Sequence, residues 1–511
     1  MLFYIKSSIL IIELLMKIHM KKSLLVLFIA NITFLIACQP PVAPDTTQSS
    51  DTESMWAINF KTNNYYQLNV QELYTGEKCI IYGETGGKVT QATAKNCADI
   101  FDSKIYPMMV NNFCETNFPV GKVTYATTLD YSYSLAKNQD KLIILMLDIK
   151  DNYSGKAGDG YVAGYFDLTN LYNYNVSNLK SMIYVDTNPG LSNQEEMYET
   201  MAHELQHLIN YVTSIRLRPN PGASSQNPFP LRMDTWIDEG LSTMAEFLYR
   251  GTPDGARIDW FNNDSQGTIA QGNNFYVWDN YDAASYPNAI LDEYATVYLF
   301  FQWLYYQAPS GPAMLKQIIS SNYSDWRAVT GEASQINTEW NDWGTLLQTW
   351  MAANYMNNTT GIYGYKNKLP AVLHISTIQN AGGQKSLYPG EGVYSAIKTS
   401  FTLPGNGSGD NIRYAGLTKG ANTVSATGTT FNGSALLTYN INTVKATVNN
   451  TETGVAETGY LTGQPASTVT RITGRSITNS PYPLIIDAQD LMRRNRGNFP
   501  DTEALNAAHE N

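Results

Sequence analysis

Histidine is scarce in this chain, five residues in 511, so the position of each one carries information. Cysteine is scarcer, at four, which excludes a disulfide-stapled scaffold. None of Cys79, Cys97 and Cys114 has zinc-ligand spacing, and they read as structural; an exported chain can pair two of them and leave one over. Charged residues make up only 15%, with an acidic net charge of -11. A nucleic-acid partner needs a basic stripe, and no stretch supplies one. What is plentiful is tyrosine, 35 residues, together with many Asn, Thr and Gly. That composition suits β-rich, exported surfaces, and the length allows two or more domains.

Two of the five histidines fall together, in Ala202-His203-Glu204-Leu205-Gln206-His207-Leu208. Positions i and i+4 of a helix lie one turn apart on the same face, so both imidazoles can address one metal ion. Glu204 beside them is placed to take a proton from a water acidified by that ion, which is peptide-hydrolysis chemistry. Met197, Met201, Leu208 and Tyr211 recur at helical spacing, so the motif lies mid-helix on the inward face of one long amphipathic helix. Ser192 and Glu195, after Pro189-Gly190, have the spacing of a capping box at its start.

The N-terminus reads as an export signal. After Met20-Lys21-Lys22 an apolar run ends in Leu35-Ile36-Ala37-Cys38. This ending resembles the bacterial lipobox. By that resemblance residues 1–37 are a lipoprotein signal peptide, Cys38 is the lipidated first residue of the mature chain, and Gln39 directs it to the outer membrane. Residues 38–56, rich in Pro, Thr, Ser and Asp, cannot form a core and read as a flexible tether.

From 57 onward the pattern is strand, strand, helix. Tyr66, Leu68 and Val70 alternate, Cys79-Ile80-Ile81-Tyr82 is a short apolar run, and Ala94, Cys97, Ala98, Phe101 and Ile105 recur at helical spacing before Pro107. Leu142 to Leu147 and Met182 to Val185 read as buried strands. Asp148 to Gly160 does not match a calcium loop and reads as a turn. After residue 360 the composition shifts to Gly, Thr, Asn and Ser with turn signals at Asn406-Gly407, Asn432-Gly433 and Thr453-Gly454. That predicts an all-β sandwich over 380–490 as an accessory domain, followed by a mobile tail at 491–511.

Two histidines do not complete a catalytic zinc site, which takes three protein ligands and a water. The residue six positions after His207 is Thr213, which excludes a metzincin. The acidic residues that follow, up to position 246, are Asp234, Asp238, Glu239 and Glu246. On a helix begun near Thr235, with Thr235 and Asp238 as its cap, Glu239, Thr243 and Glu246 share a face and Asp238 points about 100° away.

Trp236-Ile237-Asp238-Glu239-Gly240 resembles the W-x-x-E-G signature of gluzincin peptidases. The resemblance implies that Glu239 is the third zinc ligand and that Glu246 orients the first histidine. Tyr294, in Tyr294-Ala295-Thr296-Val297-Tyr298, matches the tyrosine that donates to the tetrahedral oxyanion in gluzincin aminopeptidases. Over about residues 60 to 360 the layout resembles the hyicolysin family of secreted bacterial metallopeptidases. It is carried by Phe101 to Pro107, the apolar strand into Asp148, the two motifs with Asn210, and a late helix from Leu346 to Tyr355.

The fold expected is therefore α+β, with a gluzincin metallopeptidase domain over 57–360 built from a mixed sheet and a helical subdomain, then the β-sandwich. The function expected is that of a zinc (Zn2+) endopeptidase acting on a peptide or protein substrate and lipid-anchored at the bacterial cell surface. The exopeptidase signature Gly-x-Met-Glu-Asn is absent, which favours an endopeptidase over an aminopeptidase of the same clan. A non-catalytic surface adhesin lipoprotein is the alternative of another class, and the intact Glu204 speaks against it.

Overall fold

The computed structural model describes residues 53–460 and 491–494, apart from 115–123, 126–132, 135–140, 156–160, 173–174, 223–228, 265–268, 273–274, 279–288, 378–383, 398–400, 404–410, 426–428, 449–450 and 455–456. The fold is α+β. Strands β1 (Glu53–Asn59), β2 (Asn64–Thr75) and β3 (Cys79–Glu84) run as an antiparallel meander. Helix α1 (Gln91–Ile100) follows, passes through a π turn at Phe101–Ile105 and continues as α2 (Tyr106–Phe113). Pro107 does not end the helical stretch, because it falls at the start of α2, where a missing N–H sacrifices little.

Strands β4 (Leu142–Leu147), β5 (Tyr161–Phe166) and β6 (Met182–Asp186) complete the sheet. Its order is β1-β2-β3-β4-β6-β5, with Leu491–Arg494 outermost beside β5. Thus the stretch expected as a mobile tail contains a strand. β4 is parallel to both β3 and β6, and every residue of β4 and β6 is buried. Parallel strands covered on both faces need a continuous apolar run rather than alternation, which is why these two were legible as buried strands.

The sheet curls. β1 and β5 lie far apart in strand order, yet the Ile58 N–H donates to the Tyr165 hydroxyl at 3.0 Å. Inside the curl, Met55, Leu68, Val70, Ile143, Leu145, Tyr165 and Tyr184 form one core. On the other face Ile144, Met146, Ile183 and Val185 pack with the helices.

The next helix, α3 (Gln194–Leu217), is 24 residues long and is buried without interruption from Met197 to Ser214. It is therefore not amphipathic as expected; sheet and helices cover it on all sides. The expected capping box is also absent. Asn193 occupies the N-cap without a side-chain bond, and the Ser192 hydroxyl donates to the Pro189 carbonyl instead.

Helices α4 (Thr235–Arg250), α5 (Gly255–Asn263), α6 (Ala289–Gln307), α7 (Ala313–Ile319), α8 (Trp326–Ile336) and α9 (Trp343–Met356) form the helical half. Thr235 is the first residue of α4 rather than its cap, a place taken by Asp234. Trp236 anchors the aromatic core among Phe275, Phe300, Phe301 and Trp343.

Strands β7 (Gly392–Ala396), β8 (Ile412–Leu417) and β9 (Ala435–Asn440) make a small antiparallel sheet in the order β7-β9-β8. One face joins the helical core through Ala415, Leu437 and Tyr439. The Tyr394 hydroxyl donates to the Met351 carbonyl of α9 at 2.8 Å. The other face packs on Leu387, Leu403 and Phe431. The residues expected to form an accessory sandwich thus share a core with the helices before them.

Cys79, Cys97 and Cys114 are all free and buried, so no two of them form the pair that export would allow. Burial pushes the thiols of Cys97 and Cys114 up to about 12, which leaves them unreactive. Among the described residues no helix is long and apolar enough to cross a membrane.

Candidate metal centre

Helix α3 presents His203 and His207 one turn apart, with ring centroids separated by 4.7 Å. Helix α4 lies against it and brings up Glu239. The Glu239 Oε2 atom is 3.5 Å from Nε2 of His203 and 3.8 Å from Nε2 of His207, and all three side chains are buried. Two ligands held about 2.1 Å from one tetrahedral ion would lie roughly 3.4 Å apart. Among the described residues this is the one group of His, Cys, Asp and Glu side chains able to hold a metal ion.

The tautomers agree with that geometry. Nδ1 of His203 is 2.6 Å from Glu246 Oε1, and Nδ1 of His207 is 3.0 Å from Asp238 Oδ2. An ionised carboxylate only accepts, so each Nδ1 carries a proton, and Nε2 is the atom that each ring turns toward Glu239. Burial pushes the His207 pKa down, but the carboxylates of Asp238, Glu239 and Glu204 outweigh it and hold the protonated form well above its ordinary range. A metal ion entering the site must displace that proton.

The glycine of the W-x-x-E-G block has a steric reason. A Cβ on Gly240 would lie 2.2 Å from the Phe301 ring, so only glycine lets α4 approach α6 this closely. That approach brings α6, the helix that carries Tyr294, against the helix that carries Glu239, close enough for the Glu239 charge to act on the Tyr294 phenol. Burial first, and then Glu239, raise the Tyr294 pKa well above the ordinary phenol value. The hydroxyl therefore keeps its proton and stays a donor.

Glu204 is fully buried on α3. It faces β5, where a Cβ on Gly164 would come within 3.3 Å of the Glu204 Cγ. The structure thus brings together His203, Glu204, His207, Glu239, Glu246 and Tyr294. Cys38, the expected lipidation site, lies outside the described residues.

Two neighbours were not legible as site residues. Asp238 supports His207 and also accepts from the Asn210 amide. Its position beside Glu239 was the only signal, and the 100° offset that removes it from the ligand face is what turns it toward the second imidazole. Arg257, on α5, donates from Nη2 to both oxygens of Glu246, at 3.2 and 3.1 Å. No motif marks it. Among the described residues of the stretch Asp148 to Gly160 none joins the metal cluster, and the Asp151 oxygens accept from the backbone N–H groups of Tyr153 and Val162.

No protein-family model matches the chain. The chain is similar to the neutral metalloprotease ShpI of Staphylococcus hyicus, with 25% identity over 340 residues, covering 65% of this chain and 69% of that protein. This likeness and the His203, His207 and Glu239 cluster together support a metalloprotease.

Proposed function

We propose that the chain is a zinc-dependent endopeptidase of the gluzincin type, close in layout to the hyicolysin family. The observation that carries the reading is the convergence of both Nε2 atoms and the Glu239 carboxylate, with each Nδ1 held by a carboxylate of its own. His203, His207 and Glu239 would hold the ion; Glu246 and Asp238 would orient the imidazoles. Zinc, when bound, supplies Lewis acidity toward a water and the scissile carbonyl.

The chain's own residues do the rest. Glu204 takes the proton of the attacking water and passes it to the leaving amine, so one carboxylate serves as base and then acid. The Tyr294 hydroxyl donates to the oxygen on which charge develops. Burial of Glu204, Glu239 and Tyr294 keeps bulk water from screening these interactions.

Cys38 is the proposed lipid attachment point, residues 38–56 the tether, and the outer cell surface the location. Residues 57–360 are the proposed peptidase domain. A peptide or protein is the proposed substrate class.

The test is casein hydrolysis by a soluble form beginning at Gln39 beside Glu204→Gln, with zinc counted in both. Cleavage by the parent alone, with zinc in both, is the expected result. A parent without zinc would sink the reading. Cleavage of an N-blocked peptide separates endopeptidase from aminopeptidase.

A further inference from the structure

We propose that Arg257 is a positioning residue of the metal centre, acting on His203 through Glu246 and on Tyr294 through its ring. The proposal rests on the metal reading above. Glu246 Oε1 holds Nδ1 of His203 at 2.6 Å, and the same carboxylate receives Arg257 Nη2 on both oxygens, at 3.2 and 3.1 Å. Fixing both oxygens fixes the plane of the carboxylate, and with it the direction in which the imidazole aims Nε2.

The arginine is itself held. Its Nε lies 3.4 Å from Asp254 Oδ2, and Asp254 also pairs with Arg250 at 3.2 Å. Arg250 in turn grips Glu199 of α3, one helical turn before His203, through Nε at 2.8 Å and through Nη2 at 2.5 Å. Helices α3, α4 and α5 are thereby joined by one chain of charges that ends on the first histidine. The guanidinium also lies over a second member of the site, its Cζ 5.6 Å from the centroid of the Tyr294 ring.

Charge makes the arginine necessary rather than convenient. Glu204, Glu239 and Glu246 are three buried carboxylates around two imidazoles. Arg257, only 4% exposed, sets a cation directly against Glu246. Without it Glu246 loses the guanidinium that pairs with both of its oxygens while it stays buried, and breaking a buried pair strongly disfavours the geometry seen here.

The experiment measures the zinc dissociation constant by chelator competition in the full mature chain, and kcat and KM on an N-blocked peptide at saturating zinc. The variants are Arg257→Met, Glu246→Gln and the double substitution. Arg257→Met is expected to weaken zinc binding about 10- to 100-fold and to lower kcat while KM holds. The double variant is expected to bind zinc no more weakly than the weaker single variant, because both act through one carboxylate.

Parent-like zinc affinity in Arg257→Met, or full additivity in the double variant, overturns the proposal. Should Arg257→Met not fold, Arg257→Lys decides: a point charge lacks the planar fork, so zinc affinity several-fold below the parent supports the proposal and parent-like affinity overturns it. A parent that binds no zinc overturns the metal reading itself, which is a different failure.

Discussion

Asp238 accepts a hydrogen bond from Nδ1 of His207 at 3.0 Å. The other oxygen of the same carboxylate takes the Asn210 amide, so one helical turn of α3 is tied to the first turn of α4 at two points. Removing such a support from a metal-bound imidazole costs about 10- to 100-fold in metal affinity. Asp238→Ala is therefore expected to weaken zinc binding by that factor, read by competition with a chromophoric chelator. Parent-like binding would reduce Asp238 to a helix-pairing residue.

Tyr294 offers a different prediction, because its hydroxyl touches the site without being a metal ligand. Replacing it by phenylalanine keeps the edge-to-face contact with Trp278, whose ring centroid is 5.1 Å away, and removes only the donor. Loss of one oxyanion donor costs about 10²- to 10³-fold in kcat. Tyr294→Phe is expected to show that loss with one zinc retained and KM little changed. Undiminished turnover would leave the ring as packing alone.

Gly240 links the sequence signature to stability. A methyl group there would stand 2.2 Å from Phe301, and forcing a buried methyl into a packed helix interface costs about 1–3 kcal/mol. Gly240→Ala is expected to lower the unfolding free energy by that amount, seen as a lower urea midpoint, and Phe301→Leu in the same chain to recover part of it. Equal midpoints for Gly240→Ala and the parent would mean that α4 and α6 separate freely.

Much of the site was legible because its chemistry is encoded at short range. Histidines four apart put both imidazoles on one face of a helix, while Glu239, which spacing left open among four carboxylates, came from the resemblance to the W-x-x-E-G signature. The runs Leu142–Leu147 and Met182–Asp186 were legible for a related reason, since burial on both faces leaves an unbroken apolar signature. What escaped depends on contacts distant in sequence. Strand β5 carries Gly164 at its centre, a poor strand residue kept because Thr200 and the Tyr184 carbonyl leave no room for a Cβ. Arg257 is an ordinary helix residue until α5 folds over Glu246. The caps at Ser192 and Thr235 failed for a local reason, as Asn193, one residue after Ser192, and Asp234, one residue before Thr235, take the two boundaries.

Asp186, at the end of β6, gives a pH signature that does not involve the metal cluster. Its oxygens accept from the N–H groups of Ile149 at 3.0 Å and Gly190 at 3.3 Å. Burial nevertheless dominates, with Asp151 and Asp148 adding to it, and pushes its pKa up to about 8. The unfolded chain has an ordinary aspartate with a pKa near 3.9. Between about pH 4 and 8 the folded state therefore holds a proton that the unfolded state has lost. The stability contributed by this group is fully present below about pH 4 and is lost as pH rises toward 8, at up to about 1.4 kcal/mol per pH unit. Asp186→Asn keeps an acceptor for Ile149 and cannot ionise. Its unfolding free energy relative to the parent is expected to rise steadily from pH 4 to pH 8, measured by urea unfolding at each pH. A difference that stays flat across that range would show that Asp186 is ionised in the folded protein, its charge carried by the two N–H groups.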